Sequence, residues 1–238
     1  MCGRYTLTKS PSALQDIFDL KRPSLNLPPR YNLAPSQDAP VVRRDAEERE
    51  GRALAMLRWG LVPSWSKEPK SGYSMINARA ETVSEKPAFR RLLKSHRCLV
   101  PADGFYEWRP VGKHKQPYRI AMKEGAPFAF AGLWDRWRGA EGETIESFTI
   151  IVTEANALVG PIHDRMPVIL DPGDYALWLG EGEAAVEPAL ALLKPYHAEP
   201  MTAYPVDPRV NNPRNDDAEL LAPLDDGPAG DLFAASRG

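Results

Sequence analysis

The chain has 238 residues, 43% of them hydrophobic and 26% charged, with a net charge of −2, the composition of a soluble globular fold with a core of its own. It holds no run of about 18 apolar residues, which excludes a spanning helix, and Met1-Cys2-Gly3-Arg4-Tyr5 lacks the basic-then-apolar pattern of a secretory leader, so a cytoplasmic protein with no membrane partner is expected. Two cysteines, Cys2 and Cys98, exclude a disulfide framework, and the four histidines show no ligand spacing with them, so neither a metal nor a cofactor is expected.

In chain order, Ser10-Pro11 followed by Leu14, Ile17 and Phe18 predicts a serine-capped helix with proline in its first turn. Residues 21–40 hold five prolines and read as an irregular loop. Strands are predicted at 40–44 and 53–59 around an acidic turn. Trp59-Gly60-Leu61-Val62-Pro63-Ser64-Trp65 closes the second of them and opens a loop. Ser84 to His96 reads as a helix with Phe89, Leu92 and Leu93 toward the core. Short runs rich in Val, Ile, Phe, Tyr and Trp follow at 98–101, 104–109, 117–122, 127–134 and 147–153 and read as strands, as does 166–170. Asp171-Pro172 starts a helix through Trp178, residues 186–194 form another, and a strand lies near 201–206. The tail after Leu224 is rich in Gly, Ala and Asp and is expected to be disordered. The fold class predicted is α+β, a mostly antiparallel, barrel-like sheet core with peripheral helices, in one catalytic domain over 1–224 and a tail over 225–238.

The charge is unevenly spread: residues 1–120 carry 22 Lys+Arg against 12 Asp+Glu, and the remainder carries 8 against 20. Such a split fits a face built for a polyanion, or charges that simply mix on folding.

Four segments carry candidate chemistry. Removal of Met1 gives Cys2 a free α-amine beside its thiol; the amine, with a reference pKa of about 7.7–8.0, adds to an aldehyde as an imine, and the thiol closes a five-membered thiazolidine. The alternative is an incidental cysteine near a terminus. Asn77, Arg79 and Glu81 alternate, so an extended segment points all three to one face, where they can bind sugar hydroxyl and phosphate or make a solvated loop with an ion pair. Glu107, between aromatic residues in an apolar strand, is either an acid/base carboxylate with a raised pKa or a buried structural group. His163, in a turn beside Asp164 and Arg165, is a proton shuttle or a hydrogen-bonded loop residue.

Together, Met1 to Tyr5, Arg30-Tyr31-Asn32 with Ala34-Pro35, Trp59 to Pro63, Asn77 to Thr82, Ala102 to Trp108 and His163 to Pro167 closely resemble the SOS-response-associated peptidase (SRAP) family, with Asn211 to Leu221 similar to its closing segment. The resemblance implies an abasic-site sensor that cross-links covalently to single-stranded DNA and shields the lesion. It implies Cys2 as nucleophile, Asn77 as the group orienting the linkage, Glu107 as acid/base and His163 beside the opened deoxyribose. Arg4 and Arg79 match residues that hold flanking phosphates, and Trp65 lies near aromatics that meet bases. The family's peptidase label reflects removal of what precedes the cysteine, here Met1 alone. Partners expected are single-stranded DNA with abasic sites and no second copy of the chain. Rival readings are a cysteine peptidase or terminal-nucleophile amidohydrolase using the same residues, and a non-covalent single-strand binder.

Overall fold

The computed structural model describes residues 2–21, 26–44, 51–69, 75–182 and 185–224. The predicted acidic turn after residue 44 and the tail after Leu224 lie outside them.

Five strands close into a barrel: β3 (Asp38–Arg44), β4 (Arg52–Trp59), β6 (Arg97–Ala102), β9 (Phe128–Arg138) and β10 (Thr144–Glu154). Each bonds two neighbours around the ring, β4–β3–β6–β9–β10 and back to β4. Directions cannot alternate all the way round an odd ring, so one seam must be parallel. It is β4 with β10, held by Ser147 opposite Arg58 and Phe148 opposite Trp59. Closure leaves these strands without an unpaired edge. The second half of β10 carries two further strands, β5 (Asn77–Arg79) in parallel and β11 (Arg165–Pro167) antiparallel, while β12 (Ile169–Leu170) pairs β9.

A five-stranded antiparallel sheet lies against the barrel in the order β13 (Met201–Pro205), β8 (His114–Met122), β7 (Gly104–Val111), β1 (Tyr5–Leu7), β2 (Arg30–Leu33). Aromatic rings join the two. Tyr5 of β1 meets Trp59 at 5.2 Å and Phe130 at 5.8 Å, Phe105 of β7 meets Phe130 at 6.0 Å, and Trp59 stacks on Phe148 at 6.4 Å. Such pairs add roughly 0.5–1.5 kcal/mol each beyond their burial. At Gly132 of β9 a side chain would meet Cys98 Sγ and Val100 Cγ2 at 2.9 Å, so β6 and β9 pack there with no spare volume.

The α+β class with a mostly antiparallel, barrel-like core is observed as predicted. So is α1 (Pro11–Phe18), where Ser10 Oγ accepts from Ala13 N–H at 3.3 Å and Leu14 and Phe18 are buried one turn apart. The other helices are shorter than predicted. Pro87 starts α2 (Pro87–Arg90), and its ring drives Lys86 into an extended conformation, so no helix runs through from Ser84. The segment continues as α3 (Leu92–Ser95), with Phe89, Leu92 and Leu93 buried as expected. The helix after Asp171 is a 3₁₀ turn followed by α4 (Tyr175–Leu179), closed by Gly180 at φ 73°; the next is only α5 (Val186–Leu190). The predicted strand 166–170 divides at Val168 because β11 and β12 pair different neighbours.

Candidate functional site

Cys2 enters just ahead of β1 and is fully buried, its thiol facing the Arg4 carbonyl at 4.0 Å. β1 runs antiparallel to β7, Tyr5 opposite Phe105, which brings the segment before β1 alongside Glu107. Burial pushes the Cys2 thiol far up, and the neighbouring Glu107 carboxylate pushes it further. Glu107 is 2% exposed, and its carboxyl is raised to about 7, first by burial, with the negative charge of Asp164 adding to the rise. A carboxyl that titrates near neutrality can both give and take a proton at physiological pH.

Asp164 belongs to the turn that presents His163. Asn156 builds that turn: its Oδ1 accepts from Leu158 and Val159 N–H at 3.1 and 3.0 Å, and its Nδ2 donates to the Tyr196 carbonyl at 2.8 Å. His163 Nδ1 accepts from Arg165 N–H at 3.0 Å, and burial lowers the ring's pKa, so the neutral ring carries its proton on Nε2. Asp164 Oδ1 lies 3.0 Å from the same Nδ1; it can accept only once that nitrogen is protonated.

Asn77 opens β5, next to a residue tied into the core. Trp59, packed on Tyr5, donates from Nε1 to the Ile76 carbonyl at 3.0 Å. Asn77 Nδ2 donates to Ile150 O at 3.5 Å, while its Oδ1 is buried and, among the described residues, has no hydrogen-bond partner. An unmet buried acceptor costs about 1–3 kcal/mol, a cost that a hydroxyl or amine donor from a ligand removes. Arg79 follows two residues along β5 and is exposed. Of the two readings of Asn77, Arg79 and Glu81, a shared face or a loop with an ion pair, the ion pair is observed. β5 ends at Arg79, Ala80–Thr82 turns into 3₁₀ helix, and Glu81 pairs with Arg165 instead.

Arg4 has a structural duty. Its Nη1 donates to Asn32 Oδ1 at 3.0 Å and Val210 O at 2.7 Å, and its Nη2 to Asn211 O at 3.1 Å. Asn32 Nδ2 donates to the carbonyls of Val210, Asn212 and Asn215. Asp216 accepts from Tyr31 N–H, Asn32 N–H and Arg30 Nε. These side chains lock residues 208–221 beside β2. Asn32, Asn156 and Asp216 were not singled out from sequence: Asn32 and Asp216 cap backbone groups remote in the chain, and Asn156 caps its own turn and the remote Tyr196 carbonyl.

Trp65 is 63% exposed on a loop fixed at both flanks: Ser64 N–H donates to Asp135 Oδ2 at 2.8 Å, and Trp137 Nε1 donates to Ser66 O at 2.7 Å. Cys98 is fully buried inside the barrel wall, where burial suppresses its ionisation. Among the described residues no group of three His, Cys, Asp or Glu could hold a metal ion, and no helix is long and apolar enough to cross a membrane.

This geometry accompanies a clear kinship. The model of the SOS response associated peptidase (SRAP) family matches residues 1–213. The chain is 47% identical over 93% of its length to the abasic site processing protein YoaM of Bacillus subtilis, 97% of which is covered. It is 40% identical over 82% of its length to the abasic site processing protein HMCES of Xenopus tropicalis, 66% of which is covered. A crystal structure of a protein from Bacteroides thetaiotaomicron superposes with a TM-score of 0.82 at 28% identity, over 93% of this chain and 99% of that one. The chain belongs to the SOS response associated peptidase family.

Proposed function

We propose that residues 1–224 act as one catalytic unit that traps abasic sites in single-stranded DNA through Cys2, in the cytoplasm and on the nucleoid. The observation that carries this reading is that the buried Glu107 carboxyl lies close enough to the fully buried Cys2 thiol for its charge to act on it.

In the unprocessed chain the Cys2 nitrogen is held in an amide bond to Met1, so Met1 must first be hydrolysed away. Glu107 then donates a proton to the sugar ring oxygen of the abasic site as the C1′–oxygen bond breaks, and its carboxylate takes back the C1′ hydroxyl proton to leave the aldehyde. The 4′-hydroxyl so released accepts a hydrogen bond from His163 Nε2–H. The Cys2 amine adds to C1′, water leaves, and an imine remains. Sulfur then adds to C1′, the C=N π electrons take up the thiol proton at nitrogen, and the thiazolidine is complete. Ring closure is intramolecular and so proceeds at high effective concentration. Asn77 Oδ1 accepts from the ring N–H, which supplies its missing donor. Arg79, and Arg4 beyond its structural bonds, attract flanking phosphates without regard to sequence, and Trp65 stacks on a neighbouring base.

Denaturing gels of protein mixed with abasic oligonucleotide test the reading. A heat-stable conjugate is expected for the native chain and for Cys98→Ala, and none for Cys2→Ala. A conjugate that survives Cys2→Ala and is lost in Cys98→Ala overturns it.

A further inference from the structure

Away from Cys2 the barrel carries an open basin of about 820 Å³, lined by Asp38, Met56, Arg58, Arg136, Arg138 and Glu146 among others. Glu146 is shared by two arginines, Arg43 at 2.9 Å and Arg136 at 2.7 Å. Three lining arginines thus face two lining carboxylates, a local positive excess on a chain whose net charge is −2. Arg136 and Arg138 alternate along β9 with Asp135 and Trp137, so they face away from the side that fastens the Trp65 loop. The basin's link to the proposed DNA path runs through Leu7. The basin shares Asp38 and Met56 with an apolar pocket of about 340 Å³ lined by Leu7, Leu27, Pro28, Leu33 and Pro40. Leu7 lies five residues from Cys2, at most about 18 Å of chain.

We propose that basin and pocket form a second contact for single-stranded DNA, with backbone phosphates on Arg58, Arg136 and Arg138 and one base turned into the apolar pocket. This rests on the single-strand reading above and extends it beyond the lesion. Alternating anionic and apolar groups are what a single strand offers, and the paired cationic and apolar surfaces complement them. A peptide is the weaker occupant: β3, β4, β9 and β10 are ring members of a closed barrel, so they offer no edge to an added strand.

The test is salt-dependent binding of undamaged single-stranded oligonucleotides, one short and one long enough to span both sites, to the native chain and to the double variant Arg136→Ala, Arg138→Ala. Arg43 still pairs Glu146 in the variant, and equal melting temperatures confirm its fold. Loss of two phosphate contacts lowers the slope of log K against log salt by about 1.4 on the long strand, with no change on the short one. Equal slopes on the long strand, or an equal loss on both, overturn the proposal. So does an acidic peptide that binds the native chain but not the variant while the DNA slopes agree. Trapping of a short abasic oligonucleotide is run in parallel: if the native chain fails to trap it, the covalent reading fails, and the salt slopes still decide the basin.

Discussion

The Glu107 carboxylate and the Cys2 thiol are buried neighbours, and the carboxylate's charge opposes ionisation of the thiol. Burial raises both groups, and that charge adds to the rise on the thiol. An ordinary structural core avoids such a pair, since charge there is costly unless matched.

Glu107 titrates at about 7 in the folded chain against 4.5 for the free side chain. The folded state therefore holds its proton more tightly, and this group's contribution to stability falls as pH rises from 4.5 through 7. Glu107→Gln should be more stable than the native chain at pH 8, by up to about 3 kcal/mol, with the gap closing toward pH 4.5. Cross-linking should slow by about 10²- to 10⁴-fold, and the ratio of native to variant rates should inflect near pH 7. Thermal melts and trapping rates across pH check both. A flat ratio removes Glu107 from the chemistry.

Asn77→Ala deletes a buried acceptor that lacks a partner among the described residues. Stability should change by less than about 1 kcal/mol, while trapping slows at least tenfold. Should the variant melt several degrees lower and trap at the native rate, Asn77 is structural.

Arg4→Ala cuts three hydrogen bonds to Asn32 and the closing segment. A loss of about 1–3 kcal/mol is expected, together with faster proteolysis within 208–224, seen by denaturant melts and peptide mapping. Asp216→Asn should loosen the same segment and leave the salt dependence of DNA binding as it was. If Arg4→Ala alters that salt slope as well, Arg4 also contacts a phosphate.

Trp65→Ala should leave stability unchanged, since the ring is 63% exposed, and should weaken single-strand binding by about 1–3 kcal/mol. Trp65→Phe should recover most of it. Equal affinities in all three proteins sink the stacking role.

Much of the fold was legible because apolar alternation is a local signal. The runs around 98–101, 127–134 and 147–153 all lie in barrel strands. β1, β2 and β5 were missed: each has three or four residues and exists because a partner strand supplies its bonds, which no window of sequence shows. Long-range pairing also accounts for Glu81, whose alternation with Asn77 and Arg79 ends where Arg165 on β11 claims it. At the site, the residue types of Cys2, Glu107 and His163 could be read off. The shared burial of the first two, the tautomer of the third and the clamp of Arg4, Asn32 and Asp216 could not, because each depends on groups far apart in the chain.

The most direct test is the intact mass of the protein before and after mixing with an abasic oligonucleotide. The account predicts a chain lacking Met1 that gains the mass of the oligonucleotide less one water, with no adduct on Cys2→Ala. An adduct on protein that retains Met1, or one on Cys2→Ala, contradicts it.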